Sequence, residues 1–384
     1  MTPSSIRVFG FGGAGCRFVD DLRASAGDRL GAWVADTDVS ALSALRAVPR
    51  ECRHTIGDNQ FVSGSGGDVA RVRATALAEN EVFRAALDGV ALAVAVAGLG
   101  GGTGGGALPV FLEAARERNV RTIVFAVKPF RFEGVERLRA ASSAAQTLAT
   151  LGDIRVFPSN DDLAGAGDGD PSADEALSRA SARLGEGLAL FWRLCADPGF
   201  LHLDAGTLGA IATEGRGEAD FAVAEASEGD RLSAVLSSLW DAPGTGLRRR
   251  AASARAALVG VIGGDDLRLS ELAAVSHSFE SAFPASFPLR LSTVSDPAAS
   301  GSLRVVAFLF RSWQSAEREE ARAAELAAAK SGGEGGVTPA QDPLVDARGR
   351  RMPGRFDRVA GTFVGGENLD IPTYLRRNLR IDAT

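Results

Sequence analysis

The fold of this 384-residue chain is decided by the stretch Gly100-Gly101-Gly102-Thr103-Gly104-Gly105-Gly106. It follows an apolar run, Ala91 to Ala97, and precedes an apolar, helix-like segment. Such a turn between a strand and a helix is suited to phosphate: glycines let backbone N–H groups approach an anion, the helix N-terminus is positive, and Thr103 supplies a hydroxyl. A flexible tight turn usually has two glycines, so six in seven positions indicate a phosphate-binding turn.

A second glycine turn lies near the N-terminus. Gly10-Phe11-Gly12-Gly13-Ala14-Gly15 follows a strand-like run, Ile6 to Phe9, and precedes a helix-like segment that starts with Cys16 to Leu22. Two such turns on one sheet indicate a nucleotide-binding site. This turn also fits the pattern G-x-G-x-x-G, and Asp36 follows about twenty residues later, where a ribose-binding acid would lie. An NAD-binding Rossmann enzyme is therefore a remote alternative.

Strand-like and helix-like runs alternate through the first half of the chain, which predicts a mostly parallel sheet with helices on both faces. The strands are predicted at Ile6 to Phe9, Trp33 to Ala35, Ala91 to Ala97, Thr122 to Val127 and Ile154 to Phe157, with helices at Asp68 to Leu87 and Pro109 to Arg118. The second half predicts an α+β region, with strands at Ala256 to Ile262, Leu289 to Val294 and Leu303 to Phe310 and a helix at Leu269 to Phe283.

Composition limits the classes of function. A hydrophobic content of 45% and a charged content of 23% suit two ordinary domains. The net charge of −6 argues against nucleic-acid binding, which needs clustered basic surface. The cysteines and histidines show no metal-site spacing, so we expect no metal site and reduced thiols. With no apolar stretch of about 18 residues and no signal-peptide pattern, we expect a cytoplasmic protein without direct membrane insertion.

Four further motifs complete a pattern with the two glycine turns. Together they resemble the FtsZ branch of the tubulin superfamily in order and spacing. These motifs are Asp36-Thr37-Asp38, Lys128-Pro129-Phe130-Arg131-Phe132-Glu133-Gly134, Pro198-Gly199-Phe200-Leu201-His202-Leu203-Asp204, and Leu369-Asp370-Ile371-Pro372-Thr373-Tyr374-Leu375-Arg376-Arg377.

The resemblance implies an α/β fold: a Rossmann-like GTPase domain joined by a central helix to a smaller α+β domain, then a flexible linker and a C-terminal peptide. The implied boundaries are 1–171 for the nucleotide-binding domain, 172–196 for the central helix, 197–313 for the C-terminal domain, 314–366 for the linker and 367–384 for the peptide. The residues support the central helix independently, because Ser172 and Glu175 have the spacing of a capping box.

The same resemblance implies GTP binding, with Mg²⁺ as a further candidate, and head-to-tail assembly with itself or with FtsZ into filaments for bacterial cell division at the division site. The implied nucleotide-binding residues are Gly12, Gly13, Gly15, Gly100, Gly101, Gly102, Thr103, Gly104, Glu133, Arg137 and Asn160. Asp204 is the implied catalytic residue, acting on the nucleotide of the next subunit.

The C-terminal peptide has its own pattern. Its apolar residues fall on one face at helical spacing and Pro372 suits a first helical position, so we expect it to fold when it docks in a partner's groove. By resemblance, the partner is a membrane adaptor or division protein. The expected contact residues are Asp370, Ile371, Pro372, Tyr374, Leu375 and Arg376.

The chain departs from the family pattern at its catalytic loop and its guanine pocket. Thr207 replaces the last acid of Asn-x-Asp-x-x-Asp, and loss of such a group costs on the order of a hundredfold in rate. The base-stacking aromatic is replaced by Leu177, the edge-reading Asn-Asp pair by Ser181 and Ala182, and the asparagine after the first glycine turn by Arg17. We expect weakened GTP hydrolysis. The alternative is a hydrolysis-deficient FtsZ paralogue that regulates or co-assembles with a true FtsZ.

Overall fold

The computed structural model describes residues 5–315, except 59, 62, 63, 166–170, 198, 228 and 243, together with residues 363–364 and 367–368. The chain forms two compact units, Met1–Ala321 and Arg322–Thr384. Most of the predicted linker and all six predicted contact residues of the C-terminal peptide lie outside the described residues. The five domain boundaries given above stay a prediction.

The first half of the larger unit alternates strands and helices, as the hydrophobic pattern predicts. In chain order these are β1 (Ile6–Phe11), α1 (Gly12–Ala26), β2 (Gly31–Asp36), α2 (Val39–Ala44), β3 (Arg53–Thr55), α3 (Val69–Ala78), α4 (Asn80–Ala86), β4 (Leu92–Gly98), α5 (Gly102–Glu117), β5 (Arg121–Val127), α6 (Val135–Leu148), β6 (Ile154–Val156) and α7 (Asn160–Ala164).

The second half begins with a helix that is longer than any other in the described part of the chain. Its elements are α8 (Ala173–Ala196), α9 (Ala205–Glu214), β7 (Gly217–Ser227), α10 (Arg231–Asp241), β8 (Ala256–Gly263), α11 (Leu269–Ala282), β9 (Leu289–Ser295) and β10 (Ser302–Phe310). The smaller unit contributes a two-stranded antiparallel pair, β11 (Phe363–Val364) and β12 (Glu367–Asn368).

One ten-stranded sheet runs through the larger unit in the order β3-β2-β1-β4-β5-β6-β7-β10-β8-β9. The strands from β3 to β6 are parallel, and β7 continues the parallel arrangement by pairing with β6 at Ile154 and Arg155. Strand β10 is antiparallel to both β7 and β8. The α/β class and the parallel sheet of the first half are therefore confirmed.

Strand β7, which is 11 residues long, is not among the strands predicted from the sequence. Its acidic residues Glu218, Asp220 and Glu225 interrupt the apolar pattern. In the structure these charges are paired: Arg311 lies 2.8 Å from Glu218 and 2.9 Å from Asp220, and Arg304 lies 2.7 Å from Glu225. The partners come from β10 and the residue that follows it, so only the tertiary structure makes these acids compatible with a strand.

Helix α8 begins and ends where the sequence predicts. Ser172 Oγ accepts a hydrogen bond from the Glu175 amide at 3.3 Å, and the Glu175 carboxylate accepts one from the Ser172 amide at 2.9 Å, which confirms the capping box. The helix buries Leu188, Phe191 and other side chains in a core shared with both halves of the sheet. No described helix is long and apolar enough to cross a membrane.

Three helix boundaries differ from the prediction. The run from Asp68 to Leu87 forms two helices, and Glu79 at the break accepts hydrogen bonds from the Gly57 amide and pairs with His54. Helices α1 and α5 begin at Gly12 and Gly102, inside the glycine turns. Glycine has a low helix propensity, so propensity alone does not predict that these glycines form the first turns of helices.

Glu186 is a partly buried acid where α8 packs against β7. Its Oε1 atom has no hydrogen-bond partner among the described residues. Burial, followed by repulsion from Glu225, raises the pKa of Glu186 from 4.5 to about 7. Because the folded-state pKa lies above the unfolded one, Glu186 favours folding most below pH 4.5, and this contribution is lost as the pH rises to about 7.

We predict that Glu186→Gln, which mimics the protonated acid, has the same free energy of unfolding as the native chain at about pH 5. At about pH 8 its free energy of unfolding should be higher by about 1–3 kcal/mol. Urea denaturation at both pH values measures this difference. The matched control is Glu81→Gln at a side chain that is 84% exposed, where we expect no such pH dependence. Equal responses of the two variants would contradict the prediction.

Candidate functional site

A cavity of about 570 Å³ lies at the carboxyl ends of β1, β2, β4 and β5. This edge is where open parallel sheets bind ligands, because the helices that follow the strands present their N-termini there. Two of those helices, α1 and α5, begin at glycines that line the cavity, Gly12 and Gly102. The cavity therefore has the backbone donors and the positive helix ends that an anion requires.

Glycine brings the two helix N-termini close to the sheet. A Cβ atom at Gly15 would overlap the carbonyl oxygen of Val96, and one at Gly104 would overlap that of Gly98, both on β4. Gly12 has a φ of 72°, in the left-handed region that favours glycine. Gly106 extends the close packing to α3, because a Cβ there would lie 2.8 Å from the Val69 carbonyl oxygen.

A buried hydrogen-bond network supports the cavity floor. Thr103 Oγ1 lies 2.9 Å from Thr37 Oγ1 and donates to Asp36 at 3.2 Å, and the Thr37 amide donates to the same carboxylate at 2.7 Å. Burial raises the pKa of Asp36, and these hydrogen bonds oppose that shift. The residue is only 4% exposed. Asp36 therefore orders the glycine turn, and its carboxylate is engaged within the protein instead of presented to a ribose.

The rim carries the predicted Glu133 and Arg137 pair. Glu133 accepts a hydrogen bond from the Phe130 amide at 2.7 Å and lies 3.1 Å from Arg137 Nε. Phe132 stacks on Phe130 with ring centroids 4.9 Å apart, yet it is 68% exposed. Phe132 is not among the site residues predicted from the sequence, although its place in the motif from Lys128 to Gly134 was the available signal.

Most of the predicted nucleotide-binding residues share this one cavity. They are Gly12, Gly13, Gly101, Gly102, Thr103, Gly104, Glu133, Arg137 and Asn160. Gly15 and Gly100 do not line it: Gly15 packs on β4, and Gly100, with a φ of 91°, packs against Arg137. Among the residues that depart from the family pattern, Arg17 and Leu177 line the cavity, whereas Ser181 and Ala182 do not. Arg17 donates from Nε to the Gly13 carbonyl at 3.2 Å.

Asp204 lies at the opposite end of α8 from the cavity. Ala173, the first residue of α8, lines the cavity, and the 24 residues of the helix span about 36 Å. Asp204 follows that far end as the N-cap of α9 and accepts a hydrogen bond from the Thr207 amide at 2.7 Å. This bond is the main reason why the pKa of Asp204 is lowered. Asp204 and the cavity of the same chain are therefore separate.

Exposed apolar side chains occur at both ends of α8. Phe132 and Leu177, which is 47% exposed, line the cavity. At the other end, Phe200 is 86% exposed. Its loop is fixed to β9, since the Leu201 amide donates to Thr293 Oγ1 at 2.9 Å and the Leu201 carbonyl accepts from the Thr293 amide at 2.9 Å. Exposed apolar surface thus lies at both ends of α8.

Residues 5–168 match the family model described as "Tubulin/FtsZ family, GTPase domain". This match and the FtsZ relatives support a divergent, FtsZ-like member of the tubulin superfamily. It is 29% identical over 307 residues to cell division protein FtsZ of Caulobacter vibrioides, an alignment that covers 78% of this chain and 58% of the relative. The FtsZ of Buchnera aphidicola from Acyrthosiphon pisum is 28% identical over 309 residues, covering 78% of this chain and 77% of the relative.

Solved structures share the fold. A tryptophan-to-tyrosine mutant of FtsZ from M. jannaschii matches with a TM-score of 0.72 and 24% identity, covering 81% of this chain and 91% of that one. CetZ2 from Haloferax volcanii, described as a GTPγS-bound protofilament, matches with a TM-score of 0.65 and 22% identity, covering 85% and 99%. At this level of identity the likeness concerns the fold alone.

We predict opposite outcomes for two helical glycines. Gly15→Ala forces a methyl group against the Val96 carbonyl and should lower the free energy of unfolding by about 1–3 kcal/mol. Gly185→Ala in α8, where a Cβ would meet nothing within 4 Å, should raise it by about 0.5–1 kcal/mol through helix propensity. Chemical denaturation measures both values, and similar effects at the two positions would show that Gly15 is not in backbone contact.

Proposed function

We propose that the chain binds GTP in the cavity between α1 and α5 and assembles head to tail into filaments that serve bacterial cell division, with slow GTP hydrolysis at the contacts between subunits. The observation that carries the proposal is the position of the cavity and Asp204 at opposite ends of α8. A triphosphate and the acid that acts on it can meet only when one copy stacks on the next.

The cavity suits a triphosphate. The N-termini of α1 and α5 supply backbone N–H donors, and glycines leave room for phosphate oxygens close to the main chain. Mg²⁺ would accompany the phosphates through oxygen ligands and neutralise part of their charge. Asp38 lines the cavity and caps α2 through Oδ1, and its carboxylate is of the right chemical type for that ion.

Stacking one copy on another brings different surfaces together, so the contact does not close on itself and repetition gives a filament. The exposed Phe132 and Leu177 at the cavity and Phe200 at the other end offer apolar area for that contact. The similarity to FtsZ proteins, to an FtsZ dimer from M. jannaschii and to a CetZ2 protofilament supports the proposal.

Hydrolysis should be slow because one carboxylate is missing. Asp204 uses Oδ1 to cap α9, which leaves Oδ2 to orient a water molecule against the γ-phosphate of the neighbouring copy. Thr207 can hydrogen-bond water but carries no charge. A chain that assembles without turnover would match the alternative, a paralogue that regulates or co-assembles with a true FtsZ, and Thr207 is the observation that favours it.

Location and adaptor binding belong to the same proposal. A filament of this kind acts in the cytoplasm at the division site, and recruitment there would use residues 367–384. Residues 369–384, which include all the expected contact residues, lie outside the described part of the chain. The support for adaptor binding is the sequence pattern alone.

Two complementary variants test whether the site forms between copies. Gly101→Asp leaves the fold intact, because Gly101 is the N-cap of α5 and a Cβ there meets nothing within 4 Å, but it places a negative charge in the cavity. We expect a loss of GTP affinity on the order of a hundredfold. Asp204→Asn keeps the N-cap and removes the charge, and its turnover should fall on the order of a hundredfold.

An equal mixture of the two variants should recover phosphate release, to about a quarter of the native rate, because a quarter of random contacts pair an intact cavity with an intact Asp204. Light scattering with GTP and Mg²⁺ follows assembly in the same samples. Gly101→Ser, a neutral N-cap, is the control for the first variant. A mixture that is only as active as the mean of its components would refute a site shared between copies.

Thr207→Asp should raise GTP turnover by about tenfold or more, because it returns a carboxylate to the catalytic loop. Position 207 lies in the first turn of α9, where a negative charge is favourable, and this partly offsets the loss of the side-chain hydrogen bond from Thr207 to Asp204 and the repulsion between the two acids. Thr207→Asn, neutral and similar in size, is the matched control. Equal phosphate release by the Asp and Asn variants would show that Thr207 does not face the neighbouring nucleotide.

A further inference from the structure

Four carboxylates line the cavity, and three of them are engaged by the protein. Asp36 accepts hydrogen bonds from Thr37 and Thr103, Asp38 caps α2 through the amides of Ser40 and Ala41, and Glu133 binds the Phe130 amide and Arg137. Asp174, in the first turn of α8, is the fourth. Within the part of the chain that the structure describes, its side chain has no hydrogen bond or ion pair.

The face of α8 that meets the cavity lies in its first turns. Ala173, Asp174 and Leu177 line the cavity, and the three-residue spacing from Asp174 to Leu177 places both on one face. Ser181 and Ala182, the positions that sequence similarity aligns with the base-reading pair, lie beyond the lining. Asp174, the one lining carboxylate without a partner among the described residues, therefore lies one helical turn before Leu177. Leu177 offers the apolar surface against which a base can pack.

We propose that Asp174 reads the Watson–Crick edge of guanine and makes this cavity selective for guanine over adenine nucleotides. The inference rests on the proposed function, since it concerns the base of the same triphosphate. Guanine presents N1–H and the 2-amino group side by side, so one carboxylate accepts both hydrogen bonds. Adenine presents its N1 lone pair to the same carboxylate, which is repulsive and leaves the acid unpaired.

Competition binding with GTP, ITP and ATP tests this assignment without requiring hydrolysis. ITP keeps N1–H and lacks the 2-amino group, so it isolates one of the two hydrogen bonds. The native chain should bind GTP about tenfold to a hundredfold more tightly than ATP, with ITP between them. Asp174→Asn should lose most of the preference for GTP over ITP and ATP. Its side-chain amide is neutral and cannot accept both hydrogen bonds from guanine with full strength.

The adjacent acid provides a matched control. Glu175→Gln removes the same charge from the same helical turn, preserves the capping box and lies outside the cavity lining. It should keep the native order of affinities. If Asp174→Asn keeps the GTP preference, or if Glu175→Gln loses it equally, Asp174 does not read the base. A native chain that binds the three nucleotides equally overturns this inference alone, whereas one that binds none overturns the proposed function as well.

Discussion

Direct contact between helix and strand backbones is the constraint on which this structure depends. Gly15 and Gly104 place α1 and α5 against the Val96 and Gly98 carbonyls of β4, at a distance that no side chain permits. Two helix N-termini therefore converge at the end of one strand. The cavity, its backbone donors and the support of the turn by Asp36 and Thr103 all follow from that approach.

Helix α8 then separates the cavity from Asp204. Its first turn borders the cavity, its middle is buried in the core beneath both halves of the sheet, and its end leads to Asp204. The 24-residue helix spans about 36 Å between its cavity end and the end that leads to Asp204. Under the proposed function, this separation makes hydrolysis depend on assembly, because the nucleotide and the acid would belong to different copies.

The glycine residues of the two turns have different physical roles. Gly12, Gly13 and Gly101 line the cavity, while Gly15 and Gly106 are needed for packing against β4 and α3. A sequence motif does not distinguish these two roles, because both of them require glycine. Asp36 is a similar case: its position suggests a ribose contact, yet its burial and its hydrogen bonds to Thr37 and Thr103 make it a support of the glycine turn.

The sequence by itself determined the alternating α/β pattern, the two glycine turns and the capping box of α8. These features are local, and each depends on residue types at fixed short spacings. Only the tertiary structure decided that β7 is a strand, that α5 begins at Gly102, and that Asp174 instead of Ser181 borders the cavity. Those outcomes depend on partners distant in the chain, such as Arg311 for Asp220 and the Val69 carbonyl for Gly106, which no local pattern contains.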